Sequence, residues 1–129
     1  MYIYHKSYDD IDFSNFNEND FIYLDPPYSA NSNSVYNENR DMGGWGEKQD
    51  KKFFAWCKKL NEIGCKFAMS NVFHNKGYEA KYLQDWCKEN KMIIHHLNKK
   101  YASHGIDKNI CDEVLICNYG EQDKDIFDM

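Results

Sequence analysis

Phe21-Ile22-Tyr23-Leu24-Asp25-Pro26-Pro27-Tyr28 is the stretch around which the rest of the chain is arranged. Four consecutive apolar residues rich in β-formers predict a short strand buried on both faces, the kind found in sheets covered by helices on each side. Asp25 ends the strand. Pro26 and Pro27 cannot donate to a ladder and drive the chain out of the sheet, so Asp25 and Tyr28 are presented on a stiff turn at the strand's carboxyl end. That end is where open α/β sheets bind ligands, although Asp-Pro-Pro is also ordinary turn chemistry.

Downstream, Ser29 to Gly46 is rich in Asn, Ser and Gly, with Tyr36, Arg40 and Trp45 embedded. A connection of this length is usually a lid or a binding loop, and it should cover the substrate side. Tyr36 and Trp45 could equally pin the loop to the core. From Lys48 to Ile63, Phe53, Trp56, Cys57, Leu60 and Ile63 recur at helical spacing, and Gly64 stands where a left-handed C-cap belongs. Lys66-Phe67-Ala68-Met69 predicts a second buried strand with Ser70 and Asn71 at its end. Strand, helix and strand in this order make a right-handed crossover with parallel strands. Ser70 and Asn71 then lie beside Asp25, able to hydrogen-bond substrate or cofactor.

A second helix is expected from Tyr78 to Glu89, with Ala80, Leu83, Trp86 and Cys87 inward and Asn90 as its stop. Met92 to Leu97 and Glu113 to Tyr119 predict two more strands. No helical stripe occupies Asn98 to Asp112, which favours an antiparallel pair. The expected fold class is therefore α/β, with parallel strands and a terminal antiparallel pair. Upstream, Tyr2 to Tyr4 could be a short strand and Asp9 to Asp20 reads as loop.

A length of 129 residues is one domain with room for a core, and 42% hydrophobic and 16% aromatic residues exclude a disordered chain. Mean hydropathy of −0.85 implies a very polar surface. With no long apolar run and no charged leader before one, neither a membrane span nor a secretory signal is expected. Cys57, Cys65, Cys87, Cys111 and Cys117 are odd in number and lack paired spacing. Reduced thiols in a cytoplasmic protein follow, rather than disulfides or a zinc site. His95 and His96 are adjacent, hence on opposite faces of a strand, and the other histidines are scattered, so no metal is expected.

The resemblance rests on Tyr23-Leu24-Asp25-Pro26-Pro27-Tyr28, Tyr36-Asn37, Gly44-Trp45, Lys66 to Val72, His95-His96-Leu97, Tyr101 and Glu113 to Tyr119. In these the chain resembles the carboxyl-terminal half of a Dam-type DNA adenine-N6 methyltransferase, including enzymes of restriction-modification systems. The resemblance implies a Rossmann-like sheet, S-adenosylmethionine as methyl donor, double-stranded DNA as partner, and a catalytic pocket of Asp25, Pro26, Pro27 and Tyr28. The residue types suit that chemistry. An adenine N6 amine is a poor nucleophile because its lone pair is delocalised into the ring. Acceptors aimed at its two hydrogens, the Asp25 carboxylate and the Pro26 carbonyl, favour a localised lone pair and stabilise the charge that develops on nitrogen. Tyr28 offers a surface on which a flipped base stacks, worth roughly 1–3 kcal/mol. By the same reading Asp25, Ser70 and Asn71 are the candidate cofactor contacts, and Tyr36, Arg40, Lys99 and Tyr101, with Trp45, the candidate DNA contacts. A formal charge of −5 leaves that footprint thin, with Arg40, Lys99, Lys100 and Lys108 as local cations.

The family carries its glycine-containing cofactor loop, ribose-binding acid and target-recognition region ahead of the catalytic motif. Here only residues 1–20 precede the strand, and no Phe-x-Gly-x-Gly segment occurs. The expected organisation is one partial catalytic domain: a lead-in over 1–20, a catalytic half over 21–119 and an acidic, frayed tail over 120–129. Phe21 to Leu24 would be an unprotected edge inviting another chain, so a complementary amino-terminal half is implied and the isolated chain should be inactive. Two other functions keep the same residues: transfer to an RNA base or a protein glutamine amide, and a catalytically silent assembly subunit.

Overall fold

The computed structural model describes residues 7–29, 46–97 and 111–122. Strand β1 (Phe21–Leu24) is followed by helix α1 (Glu47–Glu62), strand β2 (Lys66–Asn75), the short strand β3 (Tyr78–Glu79), helix α2 (Lys81–Glu89), and strands β4 (Ile93–His96) and β5 (Asp112–Cys117). The sheet order is β1-β2-β5-β4, with β3 paired to the far end of β2. Among the described residues only β1 and β2 form a parallel pair. The last strand, β5, runs antiparallel between β2 and β4, so the expected antiparallel pair is present and β5 also fills the centre of the sheet.

Each element has a local cause. Gly46 N donates to Gln49 Oε1 at 2.9 Å, one arm of a capping box at the start of α1. At its end Gly64 takes φ +82° and Cys65 N donates to Leu60 O at 3.0 Å, closing the helix through a residue that tolerates the left-handed region. Phe53, Phe54, Trp56, Cys57 and Leu60 are buried along α1, as the periodicity predicts. They pack with Leu24, Phe67, Met69, Val114 and Ile116 of the sheet and with Leu83 and Cys87 of α2. Phe54 meets Tyr82 and Trp86 of α2 at ring-centroid distances of 6.3 and 5.3 Å. The lead-in forms two 3-10 turns, and Tyr8, Phe13 and Phe16 lay their rings on Trp56.

Besides shifts of one residue at α1 and β4, three boundaries differ from expectation. Strand β2 does not end at Met69 but runs through Ser70 and Asn71 to Asn75. Its extension pairs with Val114, Glu113 and Asp112 of β5 and then turns back through Lys76 (φ 51°) and Gly77 (φ 84°) into β3. Two successive positive φ values are the geometry of a tight hairpin turn. Tyr78 and Glu79 are thus strand, not helix, and α2 starts at Lys81. Finally, β5 covers Asp112–Cys117 and leaves Asn118 to bridge elements: Phe67 N donates to its Oδ1 at 2.7 Å and its Nδ2 donates to Cys65 O at 2.9 Å.

Helices cover one face of the sheet. On the other, Phe21 and Tyr23 remain 57% and 59% exposed, and β1 has no partner on its outer side among the described residues. Tyr23 Oη and Ser70 Oγ are 2.5 Å apart across that face, and Phe21 rests edge-on against Tyr119. No helix among the described residues is long and apolar enough to cross a membrane.

All five cysteines are free thiols, four of them buried. Burial pushes the Cys87 thiol up to about 12 and raises Cys57, Cys65, Cys111 and Cys117 as well. In the unfolded chain thiols ionise near their ordinary value of about 8.5, releasing protons that the folded state keeps, so stability falls as pH rises above that point. Denaturant midpoints should drop between about pH 8.5 and 10, and Cys87→Ala should flatten the slope. A second expectation concerns the α1–α2 contact. Asp50 is 1% exposed and accepts a hydrogen bond from Tyr82 Oη. Tyr82→Phe leaves a buried carboxylate one donor short and should cost about 1–3 kcal/mol in urea unfolding.

Candidate functional site

The turn after β1 is held at both ends by one neighbour. Leu24, the last residue of β1, is paired with Met69 of β2. Five residues later, Ser29 N donates to Asn71 Oδ1 at 3.0 Å. The segment Asp25-Pro26-Pro27-Tyr28 therefore bridges two points on β2 that are two residues apart and lie on the same face of the strand. A bridge whose ends are that close must bow outward, and it does so at the carboxyl end of the parallel pair.

Burial along the bridge is graded. Asp25 is exposed, Pro26 is buried, Pro27 and Tyr28 are half-buried, and Ser29 is buried. Tyr28 packs its ring against the core cluster. The two prolines, the chain's full complement of 2, restrict backbone rotation at adjacent positions and present no N–H that would need a partner. An acidic side chain thus stands in solvent on a stiff backbone, with carbonyl acceptors and an aromatic ring following directly.

Beneath the bridge lies a buried polar cluster that sequence reading did not find. The Ser29 hydroxyl has no well-aligned hydrogen-bond partner among the described residues, yet it lies close enough to Tyr82 to favour that phenol's ionisation. Burial and the Asp50 carboxylate act more strongly in the other direction and hold Tyr82 protonated, well above its ordinary value. Neither Asp50 nor Tyr82 is singled out by the sequence. The available signal was weak: Asp50 falls three residues before Phe53, on the apolar stripe.

Of the expected cofactor contacts, Asp25 is exposed, Ser70 faces Tyr23 on the open side of the sheet, and Asn71 is 1% exposed with its oxygen accepting from both Ser29 N and Val72 N. Ser70 and Asn71 are strand residues rather than loop residues. They do lie level with the turn, as the crossover topology requires. Tyr36, Arg40, Trp45, Lys99 and Tyr101, expected to touch DNA, lie outside the described residues, as do Lys100 and Lys108. At the same end of the sheet His96 Nδ1 and Asp112 Oδ1 are 2.7 Å apart, joining β4 to β5. Among the described residues no group of three or more His, Cys, Asp or Glu side chains could hold a metal ion.

Comparison with known proteins identifies related sequences. Residues 2–103 match the model of the D12 class N6 adenine-specific DNA methyltransferases. The chain is 36% identical over 114 residues to the modification methylase StsI of Streptococcus sanguinis, covering 87% of this chain. It is 37% identical over 116 residues to the type II methyltransferase M.FokI of Planomicrobium okeanokoites, covering 88% of this chain. The modification methylase LlaI of Lactococcus lactis subsp. lactis is 26% identical over 116 residues. The chain spans 18% of the length of StsI and of M.FokI. The matched segment contains the strand, the acid-proline-proline-tyrosine bridge and the crossover that supports it, and the chain belongs to the D12 class of N6 adenine-specific DNA methyltransferases.

Proposed function

We propose that this chain supplies the methyl-transfer pocket of a DNA adenine-N6 methyltransferase of a restriction-modification system, and that Asp25, Pro26, Pro27 and Tyr28 form that pocket. The observation that carries the reading is the exposed Asp25 on a doubly anchored, proline-stiffened bridge at the carboxyl end of the parallel pair. The Asp25 carboxylate and the Pro26 carbonyl accept hydrogen bonds from the two N–H groups of the exocyclic amine, localising its lone pair toward the methyl group and stabilising the positive charge that develops on nitrogen. Tyr28 stacks on the extruded base. Both acceptors are in place before the substrate arrives, so little reorganisation accompanies the reaction.

S-adenosylmethionine, as the donor, supplies an electrophilic methyl group. Asp25 and Ser70 are suitably located to face it, at the carboxyl ends of β1 and on the open side of β2. The described residues contain no glycine-rich cradle for its adenosine or methionine parts. A complementary amino-terminal methyltransferase segment is the partner that fits, because among the described residues β1 is unpaired on its outer side and Phe21 and Tyr23 stay largely exposed. Parallel strands are ordinarily covered on both faces. The same segment would bring phosphate-binding cations that a chain of net charge −5 has in short supply. Five free thiols suit a reducing, cytoplasmic setting.

The test is to combine the chain with the amino-terminal segment of a D12 class methylase and follow labelled methyl transfer to adenine in duplex DNA. Asp25→Ala should lower kcat by about 10²–10³-fold, and Tyr28→Ala should weaken transfer by about 5- to 150-fold, the equivalent of one lost stacking contact. Transfer that is indifferent to Asp25→Ala defeats the proposal.

A further inference from the structure

Asn71 is among the most buried polar residues described, and both ends of its side-chain amide are engaged. Oδ1 accepts from Ser29 N at 3.0 Å and from Val72 N at 2.8 Å, while Nδ2 points at Met69 Sδ, 3.8 Å away. The second of these bonds falls where the β2–β5 register slips between Val72 and His74. A side chain so enclosed cannot reach a methyl donor or a base. It can, however, determine where the bridge ends.

We propose that Asn71 is a positioning residue for methyl transfer, setting the aim of Asp25 and Tyr28 by clamping the far end of the Asp-Pro-Pro-Tyr bridge through Ser29 N. This rests on the function proposed above and adds the residue on which its pocket geometry depends. Backbone pairing holds Leu24 at one end. At the other end the chain has left the sheet, and a side chain from the neighbouring strand takes the place of a ladder partner. Remove that acceptor, and the bridge keeps its prolines but loses one of its two supports. Asp25 and Tyr28 would then sample a wider arc, and displacement of about 1 Å at a reacting group can cost about 100-fold in rate. Asparagine suits the role because its neutral amide oxygen can take two N–H donors inside the core without a buried charge.

Amide exchange of the 129-residue chain tests the clamp itself. In Asn71→Ala, Ser29 N–H should exchange at least about tenfold faster while the β2–β5 ladder amides keep their protection. Asn71→Asp, which retains the acceptor oxygens, should restore Ser29 protection. In the complemented methyl-transfer assay, Asn71→Ala should lower kcat by about 100-fold with KM for DNA held within about threefold, and Asn71→Asp should recover most of the loss. Should Asn71→Ala fail to fold, Asn71→Leu fills the same volume without an acceptor and carries the comparison. Unchanged Ser29 exchange overturns the proposal, as does unchanged kcat in a preparation where Asp25→Ala is inactive. Full activity of Asp25→Ala would instead overturn the function on which it rests.

Discussion

The constraint on which the rest depends is the double attachment of four residues to a single strand. Leu24 and Ser29 are tied to Met69 and Asn71, so the acid, two prolines and tyrosine between them have little choice but to arch away from the sheet. Everything beneath serves to keep β2 fixed. It is paired on one side by β1 and on the other by β5, its apolar face is covered by α1 and α2, and its far end is folded back as a hairpin. A group that acts by hydrogen-bond direction gains from such rigidity.

The polar interior continues this arrangement toward the helices. Asp50 and Tyr82 fasten α1 to α2 at a point adjoining Ser29. The lead-in residues Tyr8, Phe13 and Phe16 hold α1 from its other side through Trp56. The bridge therefore rests on a strand and a helix pair that cannot easily move independently of each other. Packing between α1 and α2 and geometry at Asp25 are thereby parts of one mechanical unit.

Much of this was legible from residue order, for reasons that differ by element. Strand β1 was readable because four apolar residues meet two prolines, and α1 because its apolar spacing runs on to a glycine that can adopt a positive φ. The extension of β2 was not. Ser70-Asn71 has the composition of a loop, and only pairing with β5, more than forty residues later in sequence, makes it strand. Tyr78 and Glu79 were misassigned to a helix because their apolar phase suits one, whereas the Lys76-Gly77 turn commits them to pairing with β2. Asp25 and Tyr28 stand out in the sequence because their motif is contiguous. Asn71 also stands out as a hydrogen-bonding residue, but only coordinates show that its oxygen accepts from Ser29 N and Val72 N. Asp50 and Tyr82 were missed because a buried polar pair brought together by tertiary folding leaves almost no trace in either segment alone.

The central place of β5 has a temporal consequence. Strands β2 and β4 have no direct ladder between them, and β5, which follows both in the chain, is the one that joins them. Until residues 112–117 emerge, β2 has, among the described residues, only β1 and its own hairpin to pair with, and the nascent polypeptide carries an open slot lined by strand edges. Synthesis of this domain thus includes an interval during which its supporting strand is exposed to stray pairing, a period in which a holdase or a waiting companion chain would do the most good.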